Sequence, residues 1–527
     1  MVEFGALSPG LRFLSRDVSM ASIDFWAEKI ESEAQKLVRR HQRYAARLEE
    51  SVQRQMRRSG RPVAKEVLTP DYWTIDPGFS PYAARKRARR IAYAIDKSLR
   101  SGSYTPRPSI AYQVPKADGT LRTVSVFQVA DNAVSRVTFR TLIRKNASRF
   151  SSRCYAYRPD ITIHDAIHYL SRSLRHSAKV FVAEFDFSKF FDHLSHEYIV
   201  SILNSGQFIL TKREREILLA FLQTPTLRVD NYVSSTSETR GCGIPQGTSV
   251  SLFLANAAAS RLDTQLEGIG VRFARYADDT IIWSHDYTEV CRAVEILNSA
   301  AQKMGVDINN RKSPGIRILR SPDEHDAELR STPHVEFLGY KISKNNISIK
   351  DSKIADVKSR MSKIIYTNLL ESLKAGNVVR NRLGTSPDPD YVTAIYQLRR
   401  YLYGDLTERR LLRHLSRTTP RLHYKGLMSF YPLINDDELL VNLDGWLTHT
   451  LFTSLRARAN LLLQSTGHHI TGAPYGLAKG DLVRLRVGSI DLTIPSFVRI
   501  GNLMRRASAV HGPNAVANVL SIHYYSR

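Results

Sequence analysis

Two adjacent carboxylates, Asp278 and Asp279, stand between two segments that have the composition of β-strands. Residues 271–275 alternate apolar and basic side chains, and residues 280–283 are β-branched or aromatic. This pattern predicts a hairpin with both carboxylates at its turn. Adjacent aspartates repel each other, so a fold that holds them between apolar strands needs a cation, usually a divalent metal. An ordinary hairpin whose turn happens to use aspartate is the alternative from this segment alone.

A third carboxylate, Asp186, lies within a segment, 180–187, that is apolar at nearly every position. Such a segment predicts a central strand that is buried on both faces. A carboxylate at the end of a buried strand is costly unless it is hydrogen-bonded or binds a metal. Asp186 is therefore a second candidate metal ligand, far from the first pair in sequence.

A basic hairpin and a glycine-rich loop have the composition of phosphate-binding segments. Residues 110–115 and 121–126 are strand-like and flank a turn that carries Lys116 and Arg122. Cations and backbone N–H groups on such a turn can bind a triphosphate, although a solvated basic turn has the same composition. Residues 241–251 include Gly-Ile-Pro-Gln-Gly before a helix of small residues, and its glycines are expected to allow a ligand backbone to approach closely.

The composition indicates a nucleic-acid partner. The chain has 527 residues, with 76 Lys and Arg against 50 Asp and Glu, which gives a net charge of +26. This excess implies a polyanionic partner, and the basic run 85–90 favours phosphate contact. No apolar run is long enough to span a membrane. The N-terminus lacks the pattern of a secretion signal, and three separated cysteines suit a reducing cytoplasm, so we expect a cytoplasmic protein.

The order of these segments resembles the fingers and palm of a reverse transcriptase. The basic hairpin comes first, then Asp186 with an aromatic residue five positions later, and then the Gly-x-Pro-Gln-Gly loop. The Asp-Asp hairpin, an Asn-x-x-Lys turn at 309–312 and Phe-Leu-Gly-Tyr at 337–340 complete six motifs within about residues 104–342. The resemblance implies an α+β right-hand polymerase, with fingers and palm made of an antiparallel sheet plus helices. A mostly helical thumb and C-terminal extension would follow.

The resemblance also implies roles for individual residues. The catalytic residues would be Asp186, Asp278 and Asp279, which would hold two Mg²⁺ ions with the help of the Phe187 carbonyl. The nucleotide-binding residues would be Lys116, Arg122, Phe191, Gln246 and Lys312. Phe191 would be a steric gate beneath the sugar, although Phe190 and Phe191 can also be interpreted as two core residues. The primer grip would be Phe337, Leu338, Gly339 and Tyr340.

Within the family, the chain resembles the stand-alone defence-associated branch (unknown-group and abortive-infection), which is related to group II intron and retron enzymes. Ala277 before the Asp pair fits these bacterial enzymes, Ser251-Leu252 replaces their usual Ser-Pro, and no cysteine pairs support an appended zinc nuclease. The resemblance implies DNA synthesis from deoxynucleotide triphosphates on an associated non-coding RNA in antiviral defence, with a possible homo-oligomer and no membrane partner. Template-independent or protein-primed DNA synthesis and a non-catalytic RNA-binding scaffold remain as alternatives.

The predicted domain order follows from these segments and from the helical patterns around them. It comprises an N-terminal helical extension over 1–100, fingers and palm over 101–345, a thumb over 346–383 and a mostly helical domain over 384–527. Apolar residues at steps of four and seven predict one long helix over 22–58, and an amphipathic pattern predicts a thumb helix over 352–373. Residues 384–390 have the composition of a linker.

Overall fold

The computed structural model describes residues 9–115, 119–175, 179–232, 240–320, 330–379, 382, 385–404, 412 and 426–513, without the side chains of 9–19 and 231. Its N-terminal part is helical: α1 (Pro9–Ser59), α2 (Tyr72–Ile75), α3 (Pro81–Lys86) and α4 (Ala88–Ser101). The long predicted helix is confirmed and begins earlier than expected. Ile30, Ala34 and Val38, spaced by four residues, form its buried face, and α1 packs against α3 and α4.

The predicted basic hairpin is confirmed. Its strands β1 (Ser109–Pro115) and β2 (Leu121–Val126) pair antiparallel, and Val114 lies opposite Arg122. The short strand β5 (Thr226–Leu227) adds to β1 in parallel. Two helices, α5 (Val129–Lys145) and α6 (Ile163–Leu174), and a 3₁₀ turn (Ala147–Arg149) follow the hairpin along the chain.

The predicted central strand is confirmed as β3 (Val180–Phe185), in the middle of a five-stranded sheet. The order is β10 (Ser331–Thr332), β9 (Gly315–Leu319), β3, β7 (Asp279–Ser284) and β6 (Arg272–Tyr276). All neighbours pair antiparallel except β10 with β9. The strand is shorter than the predicted 180–187, because the chain leaves this sheet at Asp186. Residues Phe187–Ser188 form β4, which pairs with β8 (Asp307–Ile308).

Helices cover the sheet and supply most of its packing partners. They are α7 (Phe190–His193), α8 (His196–Asn204), α9 (Lys212–Gln223), α10 (Ser249–Gly268) and α11 (Tyr287–Met304), with a 3₁₀ turn at Val229–Asn231. The small-residue helix predicted after the glycine-rich loop is α10. Its alanines 255 and 257–259 are buried, which lets neighbouring elements approach closely. Asp286 caps the N-terminus of α11 through the backbone N–H of Thr288, and left-handed Gly305 ends it.

A second sheet and a helical region follow. The sheet contains β11 (Val335–Phe337), β12 (Tyr340–Ile342) and β13 (Ile347–Ile349). The helical region contains α12 (Asp351–Leu369), α13 (Glu371–Lys374), α14 (Pro389–Tyr403), a 3₁₀ turn (Leu427–Phe430), α15 (Asp437–Thr466), α16 (Lys479–Val483) and α17 (Phe497–His511), with the hairpin β14 (Arg486–Val487) and β15 (Ile490–Asp491). The predicted thumb helix is present but is interrupted at Leu370.

The described part of the predicted linker 384–390 is folded and packed. Asp388 caps α14, and Asp388 and Asp390 are both buried. Arg458 of α15 donates to Asp388 at 3.0 Å and to Asp390 at 2.8 Å, and a third bond joins it to the Leu369 carbonyl. The prediction of a linker is therefore wrong for these residues, because Asp388 and Asp390 are packed against a buried arginine.

The architecture confirms the predicted α+β class, with largely antiparallel sheets and helices up to Ile349 and mostly helices after it. None of the helices in the described part of the chain is both long and apolar enough to cross a membrane.

Candidate active site

Strand pairing places Asp186, Asp278 and Asp279 at the same edge of the central sheet. Phe185 lies opposite Thr280 in the β3–β7 pair, so Asp186 and Asp279 are the next residues along their strands. Tyr276 lies opposite Asp279 in the β6–β7 pair, which leaves Ala277 and Asp278 as a two-residue turn. The structure thus brings the two carboxylate motifs of the sequence together, with Asp278 at the tip of the hairpin.

The electrostatics of this edge show mutual repulsion. Burial, and then the charge of Asp186, raise the pKa of Asp278 from its ordinary 3.8 to about 6. Burial raises the pKa of Asp279 well above the ordinary value, and the charges of Asp278 and Asp186 add to that rise. Opposing cations are Lys312, whose Nζ lies 3.0 Å from Asp186 Oδ2, and Arg122, whose charge lowers the pKa of Asp278. The carboxylates are only partly neutralised by the chain's own cations.

The same carboxylates affect the pKa of Lys312. Burial by itself would lower the pKa of this lysine, but its bond to Asp186 and the charges of Asp278 and Asp279 outweigh burial, and the pKa is raised. Its side chain is 68% exposed, so it is accessible to an anionic ligand as well as to Asp186. This position fits the predicted contact with a triphosphate, which stays a prediction.

The donor chemistry of the three aspartates fits Mg²⁺, which binds hard oxygen ligands. Burial is the main cause of the raised pKa values of Asp278 and Asp279, and repulsion between carboxylates adds to it, so a bound cation would stabilise their ionised forms. Within the described ranges, however, no three His, Cys, Asp or Glu side chains form a ready cluster of metal ligands. Lys312 and Asn309 both bond Oδ2 of Asp186. Phe187, whose carbonyl is the other predicted metal ligand, lies opposite Ile308 in the β4–β8 pair. Its buried ring stacks on Phe190, with the ring centroids 5.5 Å apart.

Asn309 is a residue of this site to which the sequence analysis gave no role. Its backbone N–H donates to the Asp186 carbonyl at 2.8 Å, and its side-chain amide donates to Asp186 Oδ2 at 3.1 Å. The Lys312 N–H donates to the Asn309 carbonyl at 3.0 Å, which closes the turn and turns both residues toward Asp186. The Asn-x-x-Lys spacing contained this signal, because a three-residue step across a tight turn places two side chains on one target.

Phe190 and Phe191 differ in how deeply their rings are buried. Phe190 is 1% exposed and belongs to the core, whereas Phe191 is only partly buried and contacts Phe190 edge-on at 5.9 Å. The interpretation of both rings as equivalent core residues is therefore not supported. Phe191 is the second residue of the short helix α7, which follows Asp186 and β4, and its carbonyl accepts from the Ile244 N–H of the glycine-rich loop at 2.6 Å.

Gln246 lies beside this turn. Its side-chain amide donates to Asp192 Oδ1 at 3.0 Å, and its carbonyl accepts from the Ser125 N–H of β2 at 2.6 Å. Arg122 lies on the same strand β2, and Lys116 is outside the described residues. The predicted nucleotide-binding residues Arg122, Phe191 and Gln246 thus lie on elements that contact one another. Their contact with a nucleotide stays a prediction.

The glycines of the Gly-x-Pro-Gln-Gly loop serve a different purpose from the one we expected. A Cβ added to Gly243 would lie 2.3 Å from the Asp192 carbonyl oxygen, and one on Gly247 would lie 2.5 Å from the Ser125 carbonyl oxygen. Gly247 also has φ of +126°, which strains any other residue. The close approach is therefore made by the chain's own backbone, and it fixes Gln246 between α7 and β2.

The predicted primer grip is a tight hairpin attached to the catalytic strand. Phe337 and Tyr340 pair across it and are buried, which leaves Leu338 and Gly339 as the accessible turn with φ of +52° and +83°. Glu184 of β3 accepts from the Glu336 N–H at 2.8 Å and pairs with Arg317 of β9. Glu184 therefore links this hairpin to the strand that precedes Asp186, and contact of the Leu338–Gly339 turn with a primer stays a prediction.

A buried ion pair lies directly behind the Asp-Asp turn. Arg275 is completely buried and donates to both carboxylate oxygens of Asp263 on α10, each at 2.6 Å. A further bond of 3.0 Å joins Arg275 to the carbonyl of Ala277, whose φ of +59° is costly for a residue with a Cβ. Arg275 thus stabilises the strained turn that presents Asp278. The sequence analysis missed this role because it counted Arg275 among the basic residues of an alternating strand.

Removing this arginine should destabilise the protein and inactivate the site. We expect Arg275→Met to lower the free energy of unfolding by about 3–5 kcal/mol, since it leaves the Asp263 charge buried without a partner. The double variant Arg275→Met, Asp263→Leu should regain most of that stability, which urea unfolding would measure. It should still lose nucleotide incorporation, because Ala277 lacks its donor. Wild-type incorporation by a stable double variant would contradict a positioning role for Arg275.

The segment that holds this site is similar to a known protein family. Residues 114–342 match the family model described as reverse transcriptase (RNA-dependent DNA polymerase). The chain is 25% identical over 171 residues to Protein YkfC of Escherichia coli, which covers 32% of this chain and 43% of that protein. It is 24% identical over 173 residues to a putative COX1/OXI3 intron 2 protein of Saccharomyces cerevisiae, covering 33% of this chain and 19% of that protein. The chain thus matches less than half the length of each of these relatives.

Two solved structures are similar to this chain at lower sequence identity. A structure of apo telomerase from Candida tropicalis, truncated from its C-terminal domain, is 12% identical with a TM-score of 0.35, covering 46% of this chain and 55% of that one. A foamy viral protease-reverse transcriptase in complex with double-stranded DNA is 17% identical with a TM-score of 0.27, covering 62% and 46%. The family model spans the basic hairpin, all three aspartates and the primer-grip hairpin. The match to the reverse transcriptase family therefore covers residues 114–342, the segment that holds this site, and not the remainder of the chain.

Proposed function

We propose that this protein is an RNA-directed DNA polymerase that synthesises cDNA from deoxynucleotide triphosphates. One observation carries the proposal: the β3–β7 pairing joins Asp186 to Asp278 and Asp279 at one sheet edge, inside a segment that matches the reverse transcriptase family. Their unrelieved negative charge calls for divalent cations, and the adjacent cations Arg122 and Lys312 suit a triphosphate.

Each residue of the site has a defined part in this proposal. Asp186 and Asp278, with Asp279 and the Phe187 carbonyl beside them, would hold two Mg²⁺ ions. When bound, these ions would activate the primer 3′-hydroxyl and stabilise the leaving pyrophosphate. Asn309 keeps the Asp186 carboxylate in place, and Lys312 can release Asp186 to contact a triphosphate. Lys312 is also protonated and is therefore able to donate a proton to the leaving group.

The remaining parts of the proposal concern nucleotide and primer. Arg122 and Lys116 would bind the triphosphate, Phe191 would lie beneath the deoxyribose, and Gln246 would line the pocket of nucleotide and template. The turn at Leu338 and Gly339 would contact the primer strand. Phe191, Gln246 and Arg122 belong to three elements that bond to one another through Ile244 and Ser125, which supports a single pocket.

A primer-extension assay tests the activity. The purified protein should extend a DNA primer on an RNA template when Mg²⁺ and all four deoxynucleotides are present, and the product sequence should be complementary to the template. EDTA should stop the reaction. Extension that ignores template sequence would favour template-independent synthesis, and label that stays attached to the protein would favour a protein primer. Specific RNA binding with no incorporation under any of these conditions would favour the non-catalytic scaffold.

We further propose a role in antiviral defence with an associated non-coding RNA. Support comes from the resemblance to the stand-alone defence-associated branch and from the net charge of +26. The domain division at about residues 100, 345 and 383, a cytoplasmic location and a homo-oligomer stay predictions. Sequencing the nucleic acids that co-purify with the protein would test the RNA partner, because one dominant RNA is expected and a random cellular sample would contradict it.

Binding to RNA should depend steeply on salt. The side chains Arg85, Lys86, Arg87, Arg89 and Arg90 are all exposed, as phosphate contact requires. If roughly six or more phosphates are contacted, the affinity for a structured RNA should fall by about 10³-fold or more between 50 and 200 mM salt. The double variant Lys86→Gln, Arg90→Gln should reduce the slope of log affinity against log salt by about 1.5. An affinity that does not change with salt would contradict this assignment.

A further inference from the structure

A band of aromatic side chains connects helix α1 to the β1–β2 hairpin. His41 of α1 contacts Trp73 edge-on with ring centroids 5.1 Å apart, and its Nδ1 lies 3.3 Å from the Tyr82 hydroxyl. Tyr44 contacts His41 at 6.3 Å, and Tyr72 contacts Tyr112 of β1 at 5.8 Å. We define the aromatic band as His41, Tyr44, Tyr72, Trp73, Tyr82 and Tyr112.

Three rings of the aromatic band are open to solvent. Tyr44, Tyr82 and Tyr112 are 40%, 47% and 47% exposed. A continuous row of partly exposed large aromatic side chains is unusual for a surface without a partner. Their flat faces are the part of the side chain on which a nucleic-acid base stacks.

The loop that carries the centre of the aromatic band is held rigidly. Phe79 is buried and contacts Tyr72 at 6.1 Å and Tyr232 at 5.3 Å. The Gly78 carbonyl accepts from the Val129 N–H at 2.9 Å, and a Cβ on Gly78 would lie 2.1 Å from the Gln128 side chain. The loop therefore fits tightly against the start of α5, so the rings are ordered before any ligand binds, which lowers the entropic cost of binding.

Exposed arginines lie among these rings. Arg40 and Arg47 share faces of α1 with Tyr44, because they lie four residues before it and three after it, and exposed Arg43 directly precedes Tyr44. Arg85 lies one turn from Tyr82 on α3. Arg89 pairs with Asp24, whereas Arg40, Arg43, Arg47 and Arg85 have no carboxylate partner among the described residues. Aromatic rings interleaved with unpaired arginines match the stacking and charge requirements of a single nucleic-acid strand.

The aromatic band leads toward the active site. Tyr112 lies directly opposite Val124 across the β1–β2 pair, so their side chains share one face of the hairpin. Arg122, two residues before Val124 on β2, lies on that same face, and its charge acts on Asp278. Val124 also contacts the glycine-rich loop, since its Cγ1 lies 2.9 Å from where a Gly247 Cβ would be. The hairpin face that carries Tyr112 is therefore continuous with the candidate nucleotide pocket.

We propose that the aromatic band binds the single-stranded RNA template before it enters the active site. Bases stack on Tyr44, Tyr82 and Tyr112, and the adjoining phosphates contact Arg40, Arg43 and Arg85. This inference rests on the proposed polymerase function and adds the path of the unpaired template strand. A duplex is a poorer match, because its bases already stack on one another and leave no base face for the tyrosine rings.

The test compares two triple variants in an RNA-binding assay without metal or nucleotides. The probe is a fluorescent single-stranded oligouridine of about twenty nucleotides, and affinity is read from anisotropy. Tyr44→Ala, Tyr82→Ala, Tyr112→Ala should weaken binding on the order of a thousandfold, since each of the three stacked bases contributes about tenfold. The matching Tyr→Phe triple variant should bind within about threefold of wild type, because it keeps the rings.

Two controls make the outcome specific. Tyr396→Ala removes a ring that is 52% exposed on α14, outside the aromatic band, and should leave the affinity unchanged. A blunt RNA duplex should lose less than about threefold in the alanine variant. Equal losses for duplex and single strand would overturn the inference, because the surface would then bind phosphates without stacking. Wild-type affinity of the alanine variant for the single strand would overturn it as well.

An extension assay separates this inference from the polymerase proposal. Templates with single-stranded 5′ overhangs of about two and about twelve nucleotides are compared, and the alanine variant should show a larger rise in KM for the long overhang. If wild type extends both templates and the alanine variant has the same KM for the long overhang as for the short one, the inference is overturned and the polymerase proposal stands. A wild-type protein that extends neither template refutes the polymerase, and the binding assay still decides whether the aromatic band binds single-stranded RNA.

Discussion

Asp278→Asn should abolish nucleotide incorporation while leaving the fold and RNA binding intact. Asp278 is at the tip of the β6–β7 hairpin, where its carboxylate adds to the negative potential of Asp186 and Asp279. Losing a metal ligand from a transition-state clamp costs several kcal/mol, so single-nucleotide incorporation should fall by about 10³-fold or more. Steady-state primer extension at saturating Mg²⁺ measures this change.

The stability of the same variant provides an independent check. The pKa of Asp278 is raised from 3.8 to about 6 in the folded protein, so the folded state binds this proton more tightly than the unfolded state. Wild type therefore loses stability from this group as the pH rises from about 4 to about 6. Asparagine cannot ionise, so we expect Asp278→Asn in metal-free buffer to be at least as stable as wild type at neutral pH. A marked loss of stability would show that Asp278 has a structural role.

The substitution Asp286→Asn controls for the change of residue type. Asp286 is exposed and caps α11, which directly follows β7. Asparagine caps a helix about as well as aspartate, so this variant should keep both its stability and its incorporation rate. Incorporation at the wild-type rate by purified Asp278→Asn would exclude the assignment of the catalytic metals. Equal losses in both variants would point to a general electrostatic effect.

Phe191→Ala should admit ribonucleotides. A bulky ring beneath the sugar leaves no space for a 2′-hydroxyl and offers it no hydrogen-bond partner, and both effects select deoxyribonucleotides. The partly buried ring of Phe191, beside the turn that leaves Asp186, is consistent with this position. Discrimination, measured as the ratio of kcat/KM for deoxy- and ribonucleotide, should fall on the order of a hundredfold, with a smaller loss in deoxynucleotide use.

The neighbouring residue gives the control for this prediction. Phe190 is buried and stacks on Phe187, so Phe190→Ala should leave a cavity and cost about 3–5 kcal/mol of stability without changing sugar preference. Phe191→Ala should cost less stability, since its ring is partly exposed. If Phe191→Ala discriminates as strongly as wild type while its stability falls like that of Phe190→Ala, Phe191 is a core residue.

The sequence determined the local elements of the site. Period-two alternation and β-branched residues predicted the Asp-Asp hairpin, and continuous apolar character predicted that the strand before Asp186 is central and buried. The ordered motifs from the basic hairpin to Phe337–Tyr340 indicated a reverse transcriptase, which the family match over 114–342 supports. These properties were accessible because turn propensity and the burial of one strand depend on neighbours only a few residues away.

The tertiary structure decided which of these elements meet and what their charges do. Strand β7 pairs with β3, and Asn309 bonds Asp186 across 123 positions, so both contacts join distant segments. Arg275 bonds the nearby Ala277 carbonyl, but its buried pairing with Asp263 of α10 is a contact between two elements. Gly243 and Gly247 also depend on distant neighbours, because their missing side chains make space for the backbone at Asp192 and Ser125. Asp388 is likewise paired with a buried residue, Arg458, that is 70 positions away. Burial sets the pKa of Asp278, and burial is a property of the packed chain. A residue's type shows which bond it can form, but only the folded backbone brings the partner within reach.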